Sequence, residues 1–166
     1  MKKFIALSLV FFTLSITSCK DDNVTTNEDP NNYEARLEGI WDLEKVHYDT
    51  EIPALGGGDP TPVTGDGKNV NGNITLTRNP NTFTYTFSFD ADLAGLPIPV
   101  NQQGTGTWTT SRDNSKLIVT DDNGEEIVFV VVSNEAKKQV YTTTISQTVQ
   151  QIFTLEVDLD LEFTRP

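Results

Sequence analysis

The sequence predicts an all-β fold, eight strands in up-and-down antiparallel order closed into a barrel, with a two-sheet β-sandwich as the alternative. Three observations predict it. Apolar and polar residues alternate, most clearly over residues 82–89, where Phe83, Tyr85, Phe87 and Phe89 interleave with Thr82, Thr84, Thr86 and Ser88. A period of two places all those rings on one side of an extended chain. Short turn signals, Asn79-Pro80-Asn81, Asp113-Asn114-Ser115 and Asp121-Asp122-Asn123-Gly124, separate the alternating stretches. No helical periodicity longer than a turn or two interrupts them. Strands joined in sequence by tight turns form up-and-down sheets, and about eight strands close around packed side chains or one small ligand.

The chain begins with Lys2 and Lys3, an apolar run over residues 4–14 broken by Ser8 and Thr13, and then small residues. This is the layout of a secretory signal peptide, residues 1–18; a membrane-spanning helix needs about 20 apolar residues. Ile16-Thr17-Ser18-Cys19 resembles the lipobox of bacterial lipoproteins, which implies cleavage before Cys19 and its lipidation. Cys19 is the only cysteine, so no internal disulfide explains it. A lipid does: each buried methylene contributes about 0.8 kcal/mol, and two or more acyl chains hold a protein stably. Lys20-Asp21-Asp22 resembles the surface-export signal of Bacteroidota lipoproteins. It implies an outer-membrane lipoprotein at the cell surface, the alternative being one that faces the periplasm. Residues 19–36 then read as the lipidated cysteine and a flexible polar tether. Over residues 20–32 Val24 is the only large apolar side chain, too little to offset the entropy of ordering.

Residues 33–38 add a helical turn at the entrance to the domain, which spans 37–166. The first strand covers 39–48, with Trp41 and Leu43 alternating with Asp42 and Glu44. Residues 51–72 hold Pro53, Pro60, Pro62 and six glycines, which predicts a long loop without regular structure. Residues 73–78 and 82–89 form a hairpin. Residues 90–103 carry Leu93, Leu96, Ile98 and Val100 with two prolines, an apolar loop over 93–100 that serves as a lid on a cavity or a plug on the core. Strands at 104–112 and 116–120 follow. Asn123-Gly124 predicts a type I′ turn into 126–133, and 139–150 and 152–164 complete the barrel.

Three stretches together carry a family likeness: Gly39-Ile40-Trp41; Gly106-Thr107-Trp108-Thr109 running into residues 116–124; and 159–165, which closes on Leu161-Glu162-Phe163-Thr164-Arg165. They resemble the lipocalin-like domain of short Bacteroidota lipoproteins over residues 37–165. The resemblance implies a lipocalin-like, calycin-type barrel without naming a ligand.

Removal of residues 1–18 leaves 148 of the 166 residues, one domain's worth. It also removes Lys2 and Lys3, so 24 Asp and Glu face 10 Lys and Arg, a formal charge of −14. Such a surface repels phosphate backbones, which excludes nucleic acid as a partner; membrane attachment falls to the N-terminal lipid.

The candidate ligand-binding residues are Trp41, Phe83, Tyr85, Phe87, Phe89, Leu93, Leu96 and Trp108, although the same side chains fill a small barrel equally well. His47 is the only histidine, and it reads as a surface or rim residue beside Tyr48. Glu156, Asp158, Asp160 and Glu162 recur at every second residue, about 7 Å apart on a strand, the pattern of a solvated strand face. No nucleophile, base and orienting group assemble, so no enzymatic activity, metal or cofactor is expected. A monomer is expected, with either a small apolar ligand or a partner that is an envelope protein or glycan. A continuous apolar cavity favours the ligand carrier; a filled interior with exposed apolar residues favours the packed interaction barrel.

Overall fold

The computed structural model describes residues 33–54, 58–93, 95–149 and 153–166. The signal peptide, the lipobox with Cys19 and residues 20–32 of the tether lie outside the described residues. Within them the elements are α1 (Tyr33–Leu37), β1 (Gly39–Ile52), β2 (Thr61–Asp66), β3 (Lys68–Thr77), β4 (Thr82–Leu93), β5 (Leu96–Thr110), β6 (Lys116–Asp121), β7 (Glu126–Asn134), β8 (Lys138–Val149) and β9 (Phe153–Thr164). Every neighbouring pair is antiparallel, and β9 returns to pair with β1. The up-and-down sheet closes on itself as a barrel; the sandwich alternative does not form.

The nine strands occupy eight places in the ring. β9 lies along one flank of β1. On the other flank β3 pairs with Gly39–Asp42 and β2 with His47–Ile52. Only Gly67 separates β2 from β3, so the two fill one place. This corrects the expectation of a structureless loop over 51–72. Gly65 and Gly67 make room for rings instead of breaking the strand: a Cβ at Gly65 would sit 2.6 Å from the Tyr48 hydroxyl, and one at Gly67 3.0 Å from the Phe89 ring.

The apolar segment 93–100 is likewise no lid or plug. β4 and β5 pair in unbroken register from Thr82↔Thr107 to Leu93↔Leu96. The chain reverses through Gly95 at φ +90°, whose N–H donates to Asp92 Oδ1 at 2.7 Å. The turn at 121–124 also departs from expectation. Gly124 has positive φ but Asn123 does not, so the geometry is not type I′. The Asp121 carboxylate accepts the N–H groups of Asn123 and Glu125, both at 2.8 Å. Those bonds, from Glu125 above all, hold its pKa below the usual range.

The core lies inside the ring. β4 contributes Phe83, Tyr85, Phe87 and Phe89, and the other strands contribute Trp41, Trp108, Leu117, Phe129, Tyr141, Leu161 and Phe163. Each large apolar side chain so buried contributes about 1.5–3 kcal/mol.

α1 seals one end. Leu37 is fully buried, and its carbonyl accepts Trp41 Nε1 at 2.8 Å. The Arg165 guanidinium lies 4.5 Å over the Trp41 ring and donates to the carbonyls of Arg36 (3.0 Å) and Glu38 (2.8 Å). Gln139 Nε2 donates to the Arg36 carbonyl at 3.2 Å. Residues 33–36, read from the sequence as part of the tether, pack in α1 against the end of the barrel.

Candidate functional site

Seven of the eight candidate ligand-binding residues, Trp41, Phe83, Tyr85, Phe87, Phe89, Leu93 and Trp108, are buried inside the barrel. The period-two alternation of β1, β4 and β5 points them there. Leu96 is not with them; it is 60% exposed at the tip of the β4–β5 hairpin.

The rings pack against one another. Centroids of Phe83 and Tyr85 are 5.8 Å apart, those of Tyr85 and Phe87 5.5 Å, and Tyr141 meets Phe129 and Phe163 edge-on at 6.0 Å each. Between them lies an apolar cavity of about 10 Å³ bounded by Ile74, Tyr85, Phe87, Leu117, Phe129, Tyr141 and Phe163. That is about the room one water needs, whereas small-molecule pockets run to about 300 Å³ and more. Burial pushes the Tyr141 phenol far above its ordinary value, the neighbouring Tyr33 adding to the effect; its hydroxyl donates to Gln139 Oε1.

The charged candidates are all on the outside. His47 links two strands, its Nδ1 lying 2.8 Å from Asp66 Oδ1 and its Nε2 3.1 Å from Thr64 Oγ1. On β9, Glu156 accepts from Ser146 Oγ at 2.6 Å and Asp158 from Thr144 Oγ1. Glu162 lies 2.9 Å from Lys138 Nζ and 3.5 Å from Lys45 Nζ. The Lys138 hydrogen bond is the main reason its pKa is lowered. These carboxylates are spread along a wall and partnered by hydroxyls and amines. Among the described residues no group of three His, Cys, Asp or Glu is placed to hold a metal ion.

Two outer features of the barrel went unread in the sequence. β7 turns Val128, Val130 and Val132 outward, the last of them 61% exposed. The wall formed by β3, β4 and β5 carries rungs of uncharged polar side chains. Thr75, Thr84 and Thr105 make one rung, Asn73, Thr86 and Gln103 the next, and Asn71, Ser88 and Asn101 a third. A further rung, Thr77, Thr82 and Thr107, extends onto β6 at Thr120. The alternation of Thr and Phe on β4 exposed one column of this grid to sequence reasoning. The strand register that sets the columns side by side comes from the closed sheet.

A family model described as the lipocalin-like domain matches residues 37–141, more than half of the chain. The match ends inside β8, and the rest of β8 and all of β9 complete the ring. No curated protein matches the chain.

Proposed function

The chain belongs to the lipocalin-like domain family, and from that premise we propose that it is a lipid-anchored cell-envelope protein whose barrel is packed and meets its partner from outside. The observation that carries this reading is the packing of the core rings, between which lies an apolar cavity of about 10 Å³. Among these rings there is no room for a fatty acid or sterol, and the exposed valines of β7 and the polar wall of β3–β5 are offered as contact surfaces. No enzymatic role is assigned. Anchoring rests on Ile16-Thr17-Ser18-Cys19 and the lone cysteine, and the outer face of the outer membrane on Lys20-Asp21-Asp22. Residues 20–32 reach α1 at the sealed end, and a chain of that length spans at most about 45 Å.

Mass spectrometry of the protein from its source membranes tests both parts. The denatured protein is expected to begin at Cys19 and carry acyl mass that a Cys19→Ser variant lacks; an unacylated wild type overturns the anchor. Under native conditions, residues 20–166 freed from the lipid are expected at their bare mass, with no uptake of fatty acids or sterols. A reproducible extra mass lost on denaturation overturns the packed barrel and returns the chain to the small-ligand carriers.

A further inference from the structure

Along four successive rungs the outer wall of β3–β5 carries no charge; Lys68, Asp90 and Asp92 lie beyond them, toward the tip of the β4–β5 hairpin. Outward positions on β9 are Glu156, Asp158, Asp160 and Glu162, and those on β1 include Asp42, Asp49 and Glu51. On the polar wall, by contrast, every outward side chain in the rungs is a hydroxyl or a carboxamide. Two adjoining grooves cross it, of about 460 and 280 Å³, both bordered by Thr86 and Gln103. Thr84 and Thr105 border one, Ser88 and Asn101 the other.

The hydrogen-bonding groups of this wall are only partly used. Thr84 and Thr105 meet at 3.5 Å, and Thr105 Oγ1 donates to the Phe83 carbonyl at 3.2 Å. Among the described residues, the side chains of Thr86, Ser88, Asn101 and Gln103 have no hydrogen-bond partner. The grid spacing is fixed by the sheet, about 4.8 Å across strands and about 6.8 Å along them. It presents donors and acceptors together in a pre-formed array, because hydroxyls and carboxamides each do both.

We propose that this groove binds an uncharged glycan chain. The inference deepens the reading of a packed barrel acting from outside and rests on it. An anionic or cationic ligand meets no counter-charge among the residues that line the two grooves, and an apolar ligand would desolvate these polar groups without replacing their hydrogen bonds. An extended peptide added at the bare edge of β5 would pair through its backbone and leave the hydroxyls and carboxamides on the face of the wall unused. A neutral glycan supplies hydroxyls that donate and accept in kind. The acidity elsewhere on the chain also turns away charged polymers of its own sign.

Affinity electrophoresis of the delipidated mature chain through gels containing dextran, laminarin, amylopectin or yeast mannan tests this, with alginate as the anionic comparison. At least one neutral polymer is expected to retard the protein, and alginate not to. Thr86→Ala with Gln103→Ala is expected to weaken that retardation at least tenfold, while the near-ultraviolet circular dichroism stays as in the wild type. Thr144→Ala, on the opposite acidic wall, is expected to change nothing. Absence of retardation by every neutral polymer, or equal retardation of wild type and the Thr86–Gln103 variant, overturns the proposal. A bare native mass combined with such a negative sinks the glycan site alone, whereas an extra native mass sinks the packed barrel itself.

Discussion

At the scale of single residues, the inner face of the barrel sets rings against missing side chains. Tyr48 lies over Gly65 and Tyr85 over Gly104, where a Cβ would approach the ring to 2.7 Å. Because Gly65 leaves the space open, the Tyr48 hydroxyl reaches β4, donating to the Asp92 carbonyl at 3.2 Å and accepting the Asp92 N–H at 2.9 Å. Gly72 is tighter still: at φ +141°, its Cβ would fall 2.1 Å from the Thr86 carbonyl oxygen, a backbone atom fixed in the ladder. Gly104→Ala is expected to cost about 1–2 kcal/mol, since the Tyr85 ring can turn aside, and Gly72→Ala about 3 kcal/mol. Urea denaturation of the two variants measures this, and equal losses would refute the distinction. The rings were legible in the sequence from their period of two. The glycines were not, because composition alone reads them as breakers.

At the scale of elements, the unequal strand lengths matter most. β6 and β7 have 6 and 9 residues, whereas β5 has 15 and β8 has 12. β5 pairs with β6 only from Gly106 to Thr110, so on the side away from β4 residues 96–105 form an edge with no paired neighbour among the described residues. The Trp108 N–H reaches the Asn81 carbonyl on the β4 side (3.4 Å), and the Ser111 N–H the Lys116 carbonyl on the β6 side (3.0 Å). Even-numbered positions of β5 therefore turn their N–H toward β4 and odd-numbered ones away from it. Pro97 and Pro99 are odd. Their missing donors fall on the bare edge, where they cost the ladder nothing and deny a template to a second chain. Replacing both, Pro97→Thr with Pro99→Thr, is expected to leave the monomer folded and to speed its self-association, read by light scattering over time. An unchanged rate would remove this role. The sequence pattern took these prolines for a loop, because edge and loop tolerate proline alike and only the pairing distinguishes them.

At the scale of the whole molecule, closure depends on α1. The helix and the adjoining Glu38 supply the Leu37 carbonyl to Trp41, the Arg36 carbonyl to both Arg165 and Gln139, the Glu38 carbonyl to Arg165, and the Glu34 carboxylate 3.3 Å from the Thr110 hydroxyl. They thereby tie β1, β5 and β8 to the C-terminal end of the chain. A chain that starts at Gly39 is expected to lose the burial of Leu37, about 2 kcal/mol, and to strand the buried Trp41 donor, about 1–3 kcal/mol more. Its thermal and urea midpoints should fall accordingly; midpoints equal to those of the longer chain would show that the end closes without the helix. Tyr33 and Glu34 fall before the start of the family match at residue 37, and only Ala35 and Leu37 of the helix are apolar and buried. A five-residue helix has too few turns for a periodic signal, so its packing was not legible from the sequence.

The sequence by itself determined the strand class, the inward faces of β1, β4 and β9, and the up-and-down order. Those follow from local alternation and turn chemistry, which act between residues near each other in the chain. Only the tertiary structure decided what lies inside and what is offered outside. Whether Trp41, Phe83, Tyr85, Phe87 and Trp108 surround a void or fill it depends on how closely opposite walls approach. The uncharged rungs of β3–β5 likewise exist only through a register that sets Thr84, Thr86 and Ser88 beside Thr105, Gln103 and Asn101. Both are products of ring closure, a constraint between residues far apart in the chain, on which a local pattern carries no information.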